Sequence, residues 1–105
     1  MKLWRYEFVP DKILPLSEQQ ELRRKEWDGF IAAMHSGEVF ECDQEMYYYW
    51  LEVLPPAYLK NPVTLPNGEQ VRADFGFAEG PELITVFWRK GERFFGCRTN
   101  IRRRD

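Results

Sequence analysis

Residues 83–100, LITVFWRKGERFFGCRTN, decide the fold, because they predict two strands joined by a tight Lys-Gly-Glu turn. Both halves are rich in β-branched and aromatic residues, which favour strands. Residues 62–77, PVTLPNGEQVRADFGF, predict a further strand pair around a Pro-Asn-Gly turn. Alternation in this segment turns four side chains inward: Val71, Ala73, Phe75 and Phe77. Four consecutive strands with short turns predict an antiparallel meander.

The first half of the chain has the period of helices. Residues 17–37, SEQQELRRKEWDGFIAAMHSG, begin with Ser17, which forms the pattern of a capping box with Gln20. A core-facing stripe follows at i, i+3, i+4 and i+7 spacing: Trp27, Phe30, Ile31 and Met34. Gly37 offers the left-handed residue that commonly ends a helix. This segment therefore predicts the first helix.

A second helix is predicted from Asp43, a good N-cap, to the prolines at 55 and 56, which cannot continue it. EMYYYWLEVLPP, residues 45–56, places five apolar side chains on one side: Met46, Tyr47, Trp50, Leu51 and Leu54. Tyr48 and Tyr49 then point elsewhere, because a helix turns about 100° per residue and consecutive rings cannot share one face. The sequence leaves open whether these rings cover the chain itself or bind a partner.

The remaining segments complete an α+β fold. Residues 3–9, LWRYEFV, alternate like a half-buried strand that we expect at a sheet edge, and residues 38–42, EVFEC, predict an extended link. The predicted architecture is an antiparallel β-sheet of about four to five strands with two helices packed on one face. The 105 residues are expected to form a single compact domain over 1–105, with 101–105 as a basic tail.

The composition indicates a globular chain. It is 44% hydrophobic, 16% aromatic and 30% charged, which offers enough apolar surface to offset chain entropy. The first residues contain no apolar run suited to a signal peptide or a membrane span, so we expect a cytoplasmic protein without membrane contact. In that reducing compartment Cys42 and Cys97 are expected to be ordinary thiols rather than a disulfide.

Charge is distributed unevenly along the chain. No Lys or Arg lies between Lys25 and Lys60, whereas the stretch carries seven carboxylates: Glu26, Asp28, Glu38, Glu41, Asp43, Glu45 and Glu52. Residues 98–105, RTNIRRRD, carry four arginines against one aspartate. Charge runs are commonly solvated surface, and the alternative is an acidic block that docks on a basic surface.

Residue types that carry enzyme chemistry are sparse. The single histidine, His35, lies where a helix is expected to end and fits the last carbonyls there, and a Cys42–His35 nucleophile pair lacks a supporting context. Zinc needs about four Cys and His ligands, more than the chain contains. The carboxylates from Glu38 to Glu45 lack the glycine of a calcium loop. We predict no catalytic residue, no metal and no cofactor; enzymatic activity is left open, but a non-enzymatic protein is favoured.

Two segments resemble a known bacterial family. Residues 37–59, GEVFECDQEMYYYWLEVLPPAYL, contain a helix that ends in Glu-x-Leu-Pro-Pro and an aromatic, and residues 75–97, FGFAEGPELITVFWRKGERFFGC, contain an aromatic strand, a turn and a second aromatic strand. The residues concerned are Glu52, Leu54, Pro55, Pro56, Tyr58, Val86, Phe87, Gly91, Phe94 and Phe95. From about residue 38 to residue 100 the pattern resembles the family called domain of unknown function fourteen-nineteen. The resemblance implies a small protein of bacterial and mobile-element genomes, and it assigns no activity.

The favoured function is binding of another protein. We predict a small non-enzymatic, inhibitory protein of the kind that plasmids and phages direct against a host factor such as a defence nuclease (anti-CRISPR or anti-restriction type). The partner is expected to present a basic surface, because the acidic block would complement it. Tyrosine is a common interface anchor. The predicted partner-binding residues are Glu38, Glu41, Asp43, Glu45, Tyr48, Tyr49 and Glu52. A homodimer is left open, because exposed tyrosines serve a two-fold interface equally well.

Two alternatives remain from the sequence. One is a ligand-binding domain or enzyme with a pocket between the sheet and the second helix, lined by Tyr48, Trp50, Tyr58 and Trp88. The other is a single-stranded nucleic-acid-binding module, with Arg93 and Arg98 beside the strand phenylalanines and with the basic tail. The overall acidity makes nucleic acid an unlikely partner, because neutralising the phosphate backbone dominates nucleic-acid affinity. Strand alternation favours a core position for those phenylalanines.

Overall fold

The computed structural model describes residues 2–7, 12–53 and 59–100. The elements, in chain order, are β1 (Leu3–Trp4), α1 (Leu16–His35), β2 (Phe40–Cys42), α2 (Gln44–Val53), β3 (Val63–Thr64), β4 (Gln70–Val71), β5 (Phe75–Ala78), β6 (Leu83–Lys90) and β7 (Arg93–Asn100). Two helices and a sheet of five strands confirm the predicted α+β class. The residues of the Leu-Pro-Pro pattern and the aromatic after it lie outside the described residues: Leu54, Pro55, Pro56 and Tyr58.

The main sheet has the strand order β1-β2-β7-β6-β5. Its neighbours from β2 to β5 pair antiparallel, whereas β1 pairs with β2 in parallel. The prediction of a wholly antiparallel sheet is therefore wrong at this edge. The reason is α1, which lies between β1 and β2 in the chain and returns the backbone to the same end of the sheet, as parallel pairing requires.

The long hairpin of β6 and β7 matches the sequence prediction over its full length. β6 covers Leu83–Lys90 and β7 covers Arg93–Asn100, and Gly91 has a φ of 64° in the turn between them. Glycine adopts that left-handed conformation without the steric cost that a Cβ brings. Segment 38–42 differs from its prediction as a link, because β2 is an inner strand that pairs with β1 on one side and β7 on the other.

The sheet carries a separate apolar cluster on each face. On one face, Phe40, Phe75, Phe87 and Phe94 pack with buried residues of both helices: Phe30, Met34, Met46 and Tyr47. On the other face, Ile84, Val86, Trp88 and Cys97 pack with Leu65, Val71 and Ala73. The prediction that both helices cover one face is confirmed, and the β3–β4 hairpin covers the other.

The β3–β4 hairpin does not continue into the main sheet. Its turn contains the predicted Pro-Asn-Gly, and its two strands form a sheet of their own. The predicted inward alternation is confirmed as burial, since Val71, Ala73 and Phe75 are buried and Phe77 is partly buried. The four side chains do not share one face, because Val71 and Ala73 belong to one cluster and Phe75 and Phe77 to the other. The side chain of Asn61 accepts from the Ala73 N–H at 2.8 Å and donates to the Ala73 carbonyl at 3.1 Å. The Asn61 side chain takes the place of a neighbouring strand at Ala73. The chain can therefore pass from one face of the main sheet to the other between Ala73 and Phe75 while the backbone N–H and carbonyl of Ala73 stay hydrogen-bonded.

Helix α1 has the predicted stripe but a different start. Phe30 and Met34 are buried, with Trp27 and Ile31 packed against them. The helix begins at Leu16, after Pro15, and no side chain caps its first turn, so the predicted Ser17 cap is wrong. The Gln19 side chain instead donates to the Leu14 carbonyl at 2.6 Å. Gly37, with a φ of 80°, follows the helix end as predicted.

Asp43 caps α2 as predicted and also ties the helix to the segment after β1. Its Oδ1 accepts from the Met46 N–H at 2.8 Å and from the Tyr6 N–H at 3.2 Å. We expect Asp43→Ala to lower the free energy of unfolding by about 1–2 kcal/mol, the usual effect of losing a helix cap. Asp43→Asn keeps an acceptor oxygen and should lose clearly less. Urea unfolding followed by circular dichroism measures both, and equal losses would contradict a capping role.

Candidate functional site

Three of the predicted partner-binding residues, Glu45, Tyr48 and Glu52, share the outward side of α2. Gln44, Glu45, Tyr48, Leu51 and Glu52 are spaced by three and four residues, so they lie together on the helix. All five are exposed, and Tyr48, in the centre, is 39% exposed. We call these five residues the α2 outer face. Neither of its carboxylates forms a salt bridge with any residue in the described ranges.

The opposite side of α2 is held firmly on the sheet. Tyr47 is buried, with its ring centroid 4.8 Å from that of Phe94 and 5.0 Å from that of Phe75. Its hydroxyl donates to Asp74 Oδ2 at 2.5 Å. Burial raises the pKa of Tyr47 well above its usual value, and the hydrogen bond to Asp74 adds to that effect. The hydroxyl therefore stays protonated and serves as a fixed anchor, which orients Tyr48 outward.

The other predicted partner-binding residues serve the fold or lie apart. Glu41 accepts two hydrogen bonds from Arg93, both at 2.9 Å, and this partner lowers the pKa of the carboxyl. Asp43 is the α2 cap. Tyr49 packs on Tyr6, with ring centroids 4.8 Å apart, so of the two possibilities that the sequence leaves open, this ring covers part of the chain itself. Glu38 is exposed in the connection between α1 and β2.

Leu51 also departs from its prediction. It was expected to face the core with Met46, Tyr47 and Trp50, but it is 44% exposed. Leu51 lies about 100° around the helix from Trp50 and so falls beyond the packed stripe. The result is an apolar side chain beside Tyr48 on the α2 outer face.

The pocket predicted between the sheet and α2 is not formed by the residues proposed for it. Trp50 stacks on Trp27 and Phe77 on the helix side of the sheet. Trp88 stacks on Phe95 and belongs to the cluster under the β3–β4 hairpin. The two tryptophans therefore lie on opposite faces and cannot line one pocket, while Tyr58 lies outside the described residues.

The surface considered for nucleic-acid binding is occupied by internal contacts. Phe94 is buried against the helices, as strand alternation favours. Arg93 pairs with Glu41, and Arg98 Nε lies 3.1 Å from Glu79 Oε2. Both arginines are thus paired with a carboxylate of this chain, which reduces their attraction for phosphate. The tail, residues 101–105, lies outside the described residues.

The two thiols are free, buried and poor nucleophiles. Cys42 and Cys97 are each 1% exposed and unbridged, as predicted. Burial raises the pKa of Cys42 to about 12 and that of Cys97 to about 11, so neither carries a useful fraction of thiolate near neutral pH. In the parts of the chain that the structure describes, no group of three His, Cys, Asp or Glu side chains could hold a metal ion.

The buried thiols yield a direct labelling prediction. At about pH 8 we expect dithionitrobenzoate to label neither cysteine of the native protein over minutes, because the thiolate is scarce and the sulfur is inaccessible. Both thiols should react at once in concentrated guanidinium. Absorbance at the thionitrobenzoate band counts the labelled thiols. Rapid labelling of the native protein would contradict the burial described here.

A groove elsewhere in the described residues was missed by the sequence prediction. A groove of about 390 Å³ lies between the β1–Tyr6 segment and residues 20–30 of α1, with Met46 and Tyr49 of α2 beside it. We call it the aromatic groove. The sequence did contain a sign of this groove in the spacing of polar residues on α1. Gln20, Arg23 and Arg24 precede Trp27 by seven, four and three residues, so they continue the core-facing stripe with polar side chains.

Within the described ranges, no helix combines the length and apolar character that crossing a membrane requires. Comparison with curated proteins finds no match, and comparison with solved structures finds none either. Comparison with protein families matches residues 9–65 to the family described as "Protein of unknown function (DUF1419)". This span confirms the suspected family, although it starts earlier and ends earlier than the resemblance noted over residues 38–100. Because the match covers more than half of the 105 residues, the chain belongs to the DUF1419 family of proteins of unknown function.

Proposed function

We propose that this protein acts by binding another protein through the α2 outer face, without chemistry of its own. The observation that carries the proposal is the position of Tyr48, which is 39% exposed between Glu45 and Glu52 on one side and Leu51 on the other. Tyrosine, with a large half-apolar ring and few rotatable bonds, is a frequent energetic centre of interfaces. The backbone beneath it is fixed by Tyr47, which reduces the entropy that binding would cost.

The partner that fits this face presents a basic surface with an apolar recess. The ring of Tyr48 would fill the recess, and the exposed carboxylates of Glu45 and Glu52 would face cations of the partner. A nucleic-acid-binding groove is such a surface. We therefore propose a nucleic-acid-processing host factor, such as a defence nuclease, as the target, with inhibition by occupation of its groove. In that case the protein would compete with nucleic acid.

The binding test compares three versions of the intact protein as bait. The first is wild type, the second combines Glu45→Lys with Glu52→Lys, and the third combines Glu69→Lys with Glu82→Lys. The third makes the same charge change at exposed positions off α2. A protein captured from a bacterial lysate is then purified and titrated by calorimetry. We expect the α2 variant to lose binding and the control to keep it. Equal binding by all three would refute the proposed face.

The contribution of the tyrosine is tested separately. Tyr48→Ala should weaken the purified complex by about 30-fold, which corresponds to the roughly 2 kcal/mol of an interface hot spot. Higher ionic strength should weaken binding further, because the proposed contact is charged at its rim. If the purified target keeps full activity in a saturated complex, the inhibitory part of the proposal is wrong while the binding part stands.

Light scattering separates a foreign partner from a second copy. A wild-type monomer that remains a monomer as Tyr48→Ala agrees with a foreign partner. A wild-type dimer that becomes a monomer with Tyr48→Ala would assign the α2 outer face to self-association instead. That outcome would replace the foreign partner in this proposal.

A further inference from the structure

The aromatic groove combines two features that a ligand site needs, and the first is a wall of rings. Trp4 and Tyr6 line one side, and Trp27 lies on the other. Tyr49 packs on Tyr6 at 4.8 Å between centroids and meets Trp27 edge to face at 6.4 Å. Buried Phe30 closes the bottom. The volume of about 390 Å³ falls within the usual range for small-molecule pockets.

The second feature is an excess of positive charge at the rim. Arg5 follows Trp4 on one side, and Arg23 and Arg24 project from α1 on the other. None of the three forms a salt bridge with a residue in the described ranges. The carboxylate that lines the groove, Glu26, is already paired with Lys2, whose Nζ lies 2.9 Å from Glu26 Oε1.

The position of the arginines on α1 indicates that they face the groove. The helix buries Phe30 through the stripe that begins at Trp27, and Arg23 and Arg24 lie on the same side one turn earlier. At Arg23 and Arg24, the side of α1 that continues the buried stripe is solvent-exposed and carries positive charge instead of apolar side chains. A helix that only covered a core would carry apolar residues at these positions.

We propose that the aromatic groove binds a small planar aromatic ring that carries an anionic group. The ring would stack among the aromatic walls, and the carboxylate or phosphate would accept hydrogen bonds from the planar guanidinium groups, whose geometry suits both. Aromatic carboxylic acids and nucleoside monophosphates share this chemistry. The site is separate from the α2 outer face, so it stands or falls independently of the proposed partner binding.

The test titrates the intact protein with matched small probes and follows its backbone amides by NMR. Indole-3-acetate and adenosine monophosphate carry a ring and an anion, indole-3-acetamide and adenosine carry the ring alone, and acetate and inorganic phosphate carry the anion alone. We expect the first pair to bind at least tenfold more tightly than the other four and to shift amides of residues 20–30. Tight binding by adenosine monophosphate alone would assign the site to nucleotides, and tight binding by indole-3-acetate alone to aromatic acids.

A charge-neutralising variant and a matched control make the test specific. Arg24→Gln should weaken the anionic aromatic probes about tenfold, as expected for one lost charge-assisted hydrogen bond. Lys25→Gln removes a charge from the next residue of the same helix, which is also exposed but does not line the groove, and should leave binding unchanged. The proposal is overturned if no probe binds at about 10 mM, if the ringless anions bind as tightly as the aromatic ones, or if both variants weaken binding equally.

Discussion

Replacing Phe87 with alanine is expected to lower the free energy of unfolding by about 3–5 kcal/mol, the usual range for a phenylalanine lost from a core. Phe87 is 0% exposed and lies at the centre of the helix-side cluster. Its ring stacks on that of Phe75 with centroids 4.7 Å apart and meets Phe40 edge to face at 5.8 Å. Truncation therefore leaves a cavity among rings that cannot collapse into it. The loss is a large share of the stability of a typical domain, roughly 5–15 kcal/mol in total.

The matched control for Phe87 lies on the neighbouring strand. Phe95 is only partly buried and packs on Trp88 on the other face of the sheet. Phe95→Ala should lower the free energy of unfolding by less than about 2 kcal/mol, because the partly exposed ring of Phe95 buries less apolar area on folding than that of Phe87. Chemical denaturation followed by tryptophan fluorescence compares the two variants. A Phe95→Ala loss as large as that of Phe87→Ala would contradict the central role given to the helix-side cluster.

Gly96→Ala is expected to lower the free energy of unfolding by about 1–3 kcal/mol, because a methyl group does not fit at this position of β7. An added Cβ would lie 2.3 Å from Cζ of Phe40, which is itself 3% exposed. Gly96 pairs directly with Phe40 in the sheet, and the ring fills the space that a side chain at 96 would take. Either the ring or the strand must move.

A second substitution and a control at another glycine test this explanation. Phe40→Leu removes the ring atoms that clash, so adding it to Gly96→Ala should cost less than it costs in the wild-type background. Gly29→Ala, in the interior of α1, brings its Cβ to 3.2 Å from the Trp4 ring, a tight contact that a small shift of the ring relieves, and it gains helix propensity. The two effects oppose each other, so this change should be nearly neutral. Thermal unfolding of the wild type, the three single variants and the double variant supplies the comparison. Additive losses for positions 40 and 96 would rule out the clash.

The parts of the fold that could be predicted from sequence are those with a strong local pattern. β6 and β7 were predicted over their full lengths, since alternation and a glycine turn define both. The α1 stripe and the Asp43 cap rest on contacts or spacing within a few residues. β2 was not predicted as an inner strand, because three residues contain too little alternation and its partners lie far away in the chain.

The candidate site follows the same division. The outward position of Tyr48 could be predicted because helix geometry alone requires it. The inward position of Tyr49 could not, because it depends on Tyr6, which is more than forty residues away in sequence. The hydrogen bond from Arg93 to Glu41, between the neighbouring strands β7 and β2, could not be predicted for the same reason.

The pairing of β2 on both edges has a consequence for how the family is delimited. Residues 9–65 contain α1, β2 and α2, but the strand that flanks β2 on its inner side, β7, lies outside that span. Phe87 and Phe94, which belong to the same buried cluster as Phe30 and Met46, lie outside it as well. The matched segment therefore contains one strand of the main sheet, and both edges of that strand pair with strands from outside the segment. A chain cut to this segment would leave β2 without a strand neighbour on either side, so the segment is not expected to fold alone.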